Sequence, residues 1–253
     1  DLTRTKQLLD LYMKINKKAQ YEEGLFTTKI KTLSELSNSA GSIGDKFKML
    51  DVSGAQNEKF REFIGYSSLS SENKALINLF FSENNLNEDM TVGFKGNPNI
   101  GSIVLNQFKN SKEYKVFLNS FEPDDSIFIV SSIFGGTGAA GFPLLLRNLR
   151  KIDPNLSNSK NVANSKIGAL SMMPYFKINT PTDIANQTID SSSFMGKAKA
   201  ALSFYSNSIF GNNNQLNSFY TLGEDVANFY EHNDGQAAQK NDAHFLEFAA
   251  ALA

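Results

Sequence analysis

Three observations make this chain an α/β layered protein, a parallel sheet flanked by helices. From residue 90 onward, short apolar runs alternate with turn residues and helix-length periodic segments, as repeated strand–helix units require. "DDSIFIVSSIF" is rich in β-branched and aromatic residues, which predicts a strand covered on both faces. "SSIFGGTGAAGFP", Ser131 to Pro143, then runs from that strand through glycines into a helix. Parallel strands need such crossovers.

Taken in order, "TRTKQLLDLYMKINKKAQ" sets Leu8, Leu9, Tyr12 and Ile15 at helical spacing and predicts an amphipathic helix. Shorter helical patterns follow at "GDKFKML", "NEKFREFI" and "SSENKALINLFF". In the last of these, Ser70 or Ser71 is placed to cap, and Glu72 suits the helix dipole. Residues 1–90 are expected to be mostly helical. "AAGFPLLLRNLR" puts Phe142, Leu145, Leu146 and Leu149 on one stripe, with Pro143 near the start, where a helix tolerates it. "SKIGALSMMPYF" predicts the next strand, ended by Pro174. "SSSFMGKAKAALSFYS" predicts a helix and "NSFYTLG" a strand. "NDAHFLEFAAALA" predicts a last helix with Phe245, Phe248, Ala249 and Leu252 on one side. The polar stretches "DPNLSNSKNVANS" and "GNNNQLNS" read as surface loops rather than linkers, so a single domain is expected over 1–253.

A chain of 253 residues with 41% hydrophobic content is long enough for a full-sized core. Its 25 basic and 26 acidic side chains leave a net charge of -1, so no overall field draws in nucleic acid, and no nucleic-acid partner is expected. The absence of cysteine excludes disulfides, iron–sulfur ligation and thiolate zinc, and fits a cytoplasmic location. The only histidines, His232 and His244, are too few for a histidine-rich metal centre. No apolar run approaches the roughly 20 residues of a membrane span. Beginning at Asp1 and closing on Ala253 inside an apolar helical pattern, the chain reads as a piece of a longer protein.

A strand, then glycines, then a helix start presents backbone N–H groups at the positive end of a helix dipole, where an anion can sit. Glycine permits a positive φ and lets a ligand approach closely. Gly136-x-Gly138-x-x-Gly141 satisfies the dinucleotide fingerprint and would make the chain an NAD(P)-dependent oxidoreductase. That reading asks for a carboxylate about 20 residues on, at the end of the next strand. "GALSMMPYF" supplies none. A tight turn holding nothing is the plainest alternative.

A second phosphate reading rests on several stretches in order. "GNPNIG", Gly96 to Gly101, resembles "ANPEIG" of the FtsZ loop that faces the γ-phosphate. "FGGTGAAGFP" resembles "GGGTGTGAAP", with Gly135, Gly136, Thr137, Gly138 and Pro143 aligned without a gap. "DDSIFIVSSI" stands where that family has "ADMVFVTAGM"; "KIGALSMMPY" looks like "LTVAVVTKPF", and "NSFYTLGED" like "DTLIVIPND". Over residues 90–250 the chain therefore resembles the tubulin/FtsZ-like superfamily. It departs at Phe134, in place of the first family glycine, at Ala139-Ala140, and in lacking the GGxGxN loop.

The resemblance implies a three-layer Rossmann-like parallel sheet flanked by helices, with residues 1–90 a family-variable insertion and 91–253 the nucleotide-loop core. It implies GTP/GDP with Mg2+, and head-to-tail self-association in which hydrolysis needs a carboxylate from the next subunit. The segment alone would then bind without turnover. Gly135, Gly136, Thr137 and Gly138 would hold the phosphates, and Gly96, Asn97 and Pro98 would sense the terminal one. Pro174 would lie near the sugar. Glu224 stands at the family's guanine-binding asparagine, with Phe245 placed to stack on the base and Asn241 or Glu247 to bond its edge. Each has a plainer role: Asn97-Pro98 as a turn, Thr137 as a helix cap, Pro174 as a strand end, Gly223-Glu224-Asp225 as a turn and Phe245 as core. A nucleotide-free interaction module of the same fold is the corresponding alternative for the whole chain.

Overall fold

The computed structural model describes residues 3–19, 27–31, 59–90, 93–94, 96–179, 191–211, 215–225, 228–231 and 244–252. The helices are α1 (Thr3–Ala19), α2 (Phe60–Phe63), α3 (Ser71–Phe80), α4 (Glu83–Leu86), α5 (Pro98–Leu105), α6 (Lys112–Ser120), α7 (Gly136–Arg150), α8 (Ser159–Asn164), α9 (Phe194–Ser208) and α10 (Phe245–Ala251). The strands are β1 (Ser126–Ser132), β2 (Lys166–Met172), β3 (Phe176–Asn179), β4 (Ser218–Leu222) and β5 (Asn228–Glu231).

The fold is α/β, a parallel sheet flanked by helices. β1, β2 and β4 lie side by side in that order, all parallel, with Ser132, Met172 and Leu222 in register at their carboxyl ends. The three loops that follow therefore leave one edge of the sheet. Both crossovers step in the same direction, so their common right-handedness puts α7 and α9 on one face. There Ile129, Ile133, Ile167 and Ala169 meet Phe142, Leu146 and Leu149 of α7, and Phe194, Ala198 and Tyr205 of α9. Each large side chain buried there contributes about 1.5–3 kcal/mol. The Tyr205 hydroxyl donates to the Ala139 carbonyl at 3.0 Å, tying the start of α7 to α9.

The β2–β4 ladder parts just beyond the bond from Met173 N to Leu222 O at 2.7 Å. Pro174 has no N–H with which to continue it. The two chains pair again as β3 and β5, a separate two-stranded parallel ribbon. The sequence patterns did not reveal this ribbon.

The expectation that the first strand is covered on both faces does not hold. α10 covers Leu170, Met172 and Leu222 through Leu246 and Ala250, whereas among the described residues β1 is an edge strand with no side chain in that cluster. Phe128 and Val130 are consequently 44% and 59% exposed. In the last helix Leu246 turns inward, while Phe245, Phe248 and Leu252 are exposed. Phe245 is therefore not core.

A second core joins Phe60, Phe81, Leu86, Met90, Phe94, Ile100 and Val104, gathering the short helices α2 to α5. Ser70, rather than Ser71, caps α3, its hydroxyl accepting from Asn73 N. "NEKFREFI" yields only the four residues of α2, and "GDKFKML" lies outside the described residues. "DPNLSNSKNVANS" is not all loop, because α8 forms within it and buries Val162 in the main core.

The amino edge of the sheet is closed by Arg150. Its Nε donates to Gln215 O at 2.8 Å, and its Nη1 to Ala163 O at 2.7 Å and Ser165 O at 2.8 Å. One guanidinium thus joins the end of α7, the end of α8 and the approach to β4. Among the described residues no helix is long and apolar enough to cross a membrane.

Candidate functional site

The carboxyl edge begins where β1 hands over to α7. Gly135 is the N-cap residue, in extended conformation and without a side-chain capping bond. The amides of Gly136, Thr137 and Gly138 in the first turn thus lack a capping acceptor. Gly138 rides on the strand end: a Cβ there would lie 2.4 Å from Ser132 O and 2.8 Å from Ser132 N. At Gly136 it would lie 2.8 Å from Asn97 N and 2.9 Å from the Phe94 Cβ. Glycine is required at both positions by these close approaches.

Asn97 belongs to the turn that starts α5. Its Oδ1 accepts from Asn99 N at 3.1 Å and Ile100 N at 3.3 Å, with Pro98 at the first helical position. Asn97-Pro98 is thus a capped helix start. Gly96 before it has φ +75, which favours glycine. A Cβ at Gly101 would come within 2.6 Å of Gly136 O, so α5 and α7 meet through small residues. Two helix N-termini converge here, and neither has an acidic residue in its first turn. Each brings roughly half a positive charge. Thr137 is exposed and is not the cap.

Lys197, on α9, completes this end: its Nζ donates to Gly96 O at 3.0 Å. No local spacing announced it, since it comes 101 residues after its partner.

At the other end of the edge, the loops after β2 and β4 have their polar groups mutually engaged. Pro174 is buried. The Tyr175 hydroxyl donates to Glu247 Oε1 at 2.9 Å. Burial, then the Glu247 bond and charge, hold its phenol well above the ordinary tyrosine pKa, so it stays a neutral donor. His244 caps α10 with Nδ1 accepting from Leu246 N at 3.2 Å. Its Nε2 faces Glu224 Oε1 at 2.9 Å. The Asn228 side-chain amide lies 2.7 Å from the same nitrogen, and the Tyr175 ring 4.9 Å from the imidazole centroid. The sequence pointed to Glu224 and Glu247 but missed Tyr175, His244 and Asn228 as members of the site. The readable signal was His-x-x-Glu ahead of an apolar run, a capping-box spacing. Asn241 and His232 lie outside the described residues.

Between the ends stands Phe134. It is buried with its ring 4.9 Å from Phe194, 5.7 Å from Phe176 and 6.3 Å from Tyr175. At the glycine end the arrangement offers an anion first-turn amides with no acceptor among the described residues, two helix dipoles and an ammonium. It offers a planar ring an acceptor carboxylate and aromatic neighbours at the Glu224 end. Among the described residues no group of three His, Asp or Glu side chains could hold a metal ion. Compared with protein-family models, curated proteins and solved structures, the chain matches none.

Proposed function

We propose that the chain is a tubulin/FtsZ-like nucleotide-binding domain of three-layer Rossmann-like type, with GTP or GDP as ligand. The observation that carries the reading is the meeting of two turns distant in sequence, Asn97 N lying 2.8 Å from where a Gly136 Cβ would be. In this reading the amides of Gly136 to Gly138 and the Thr137 hydroxyl hold phosphates at the carboxyl edge of a parallel sheet. Gly96, Asn97 and Pro98 face the terminal phosphate, and Lys197 adds charge. Pro174 and Tyr175 border the sugar, and Glu224 and Phe245 the base. Mg2+ would supply further charge neutralisation at the phosphates. Hydrolysis would wait for a carboxylate from a neighbouring copy in a head-to-tail contact, which extends into open filaments when the rotation does not close.

One observation favours a nucleotide-free module instead. Phe134 fills the place of a family glycine with a buried ring, and Tyr175, Glu224, His244 and Glu247 already satisfy one another. The oxidoreductase reading still lacks its carboxylate, since β2 runs out through Met172, Met173 and Pro174.

Calorimetric titration with GTP, GDP, ATP and NADPH in the presence of Mg2+ separates the three. Saturable binding of GTP and GDP is expected, weakened about tenfold by Thr137→Ala. Thermal stability should shift by less than about 0.5 kcal/mol in that variant, because Thr137 is exposed. Absence of heat with every nucleotide leaves the interaction module, and binding of NADPH alone leaves the oxidoreductase.

A further inference from the structure

Lys197 sits where a structural tie alone would not need a cation. Its Nζ donates to Gly96 O at 3.0 Å and lies 3.3 Å from where a Gly96 Cβ would be. A neutral side-chain amide could hold that carbonyl equally. The charge is set against its own helix, because Lys197 falls in the first turn of α9, at the positive end of that dipole. α5 starts two residues beyond Gly96, and α7 starts against Asn97. None of these three helices has an acidic residue in its first turn. Positive helix ends and an ammonium therefore gather around one turn, an arrangement that an anion stabilises.

Position along the turn separates Lys197 from the glycine loop. Gly93 and Gly96 both have positive φ, +87 and +75. A Cβ at Gly93 would lie 3.8 Å from Thr137 Oγ1, whereas one at Gly96 would lie 3.3 Å from Lys197 Nζ. The hydroxyl and the ammonium thus flank the two ends of one short turn. The hydroxyl belongs with the amides of Gly136 to Gly138, and the ammonium with Gly96.

We propose that Lys197 makes the site prefer a nucleoside triphosphate to the diphosphate. This preference rests on the nucleotide reading proposed above, in which the turn from Gly96 to Pro98 faces the terminal phosphate. The phosphates common to both nucleotides meet Gly136 to Gly138 and Thr137. The additional phosphate reaches the ammonium, which carries three protons and can donate to a phosphate oxygen while it keeps Gly96 O.

Titration calorimetry with GTP and with GDP, both with Mg2+, tests this on the wild type, Lys197→Gln, Lys197→Arg and Thr137→Ala. The glutamine keeps a donor for Gly96 O and removes the charge, and the arginine keeps the charge. In Lys197→Gln the ratio of GTP to GDP affinity should fall about tenfold, through loss at GTP, as removal of one charged hydrogen bond predicts. Lys197→Arg should restore most of it. Thr137→Ala should weaken both nucleotides alike and leave the ratio unchanged. The wild-type ratio should also narrow as salt rises, and a ratio insensitive to salt overturns the proposal without any variant. Equal loss of both nucleotides in Lys197→Gln, or an unchanged ratio, overturns it as well and leaves Lys197 a structural tie, with the nucleotide reading intact. A wild type that binds neither GTP nor GDP overturns that reading, and the preference with it.

Discussion

The two edges of the central sheet use their polar groups in opposite ways. At the amino edge, one guanidinium takes three carbonyls, those of Gln215, Ala163 and Ser165. At the carboxyl edge, α7 starts on an uncapped Gly135, close to the start of α5 and an ammonium bonded to Gly96. Closed hydrogen bonds fix the chain where it must not move, whereas open donors leave binding energy for a ligand. Stability and binding should therefore respond to different substitutions.

Arg150→Ala should have the largest effect on stability. It leaves three carbonyls without a charged donor and should cost about 4 kcal/mol, a fall in Tm of roughly 10 °C. Nucleotide titration of the folded fraction should be unchanged. A loss of affinity at full stability would break the division between the edges.

Gly138→Ala comes next. Its methyl would lie 2.4 Å from Ser132 O, backbone that cannot swing aside, so the turn must shift. A cost of about 2 kcal/mol in denaturant midpoint is expected, together with loss of the binding proposed for that turn. Unchanged affinity would move the phosphates elsewhere.

The smallest effect is on pH dependence. Burial raises the Tyr205 phenol above its ordinary pKa of 10.0, and burial with the Glu247 bond does the same for Tyr175. The folded chain keeps protons that the unfolded chain releases. These two groups therefore contribute full stability below pH 10, and the contribution is lost as pH rises through the folded values. Tyr205→Phe should cost about 1 kcal/mol at neutral pH through its bond to Ala139, and should make the alkaline decline shallower. Midpoints measured across pH would test both, and an unaltered decline would dissociate Tyr205 from it.

The parts of the fold legible in the sequence are those in which apolar spacing coincides with burial. β1 follows a β-branched run, β2 and β4 follow short apolar runs, and α7 follows the stripe Phe142, Leu145, Leu146, Leu149. Spacing could not tell which side a neighbour would cover, so the exposed Phe128 and Val130 face of β1 reads as buried. The β3–β5 ribbon was illegible because pairing between Phe176 and Asn228 depends on a ladder broken elsewhere. In the candidate site, the glycines and Asn97-Pro98 were readable because close backbone approach restricts residue type. Lys197 and His244 join it only through chain segments that folding brings together.

The break in the ladder at Pro174 also has a mechanical side. Beyond it, Ile178 N donates to Ser191 Oγ at 3.2 Å, and α9 starts at Phe194 with Lys197 in its first turn. A displacement of the ribbon would therefore pull on the ammonium that holds Gly96, while the guanidinium at the far end of the sheet would be left undisturbed.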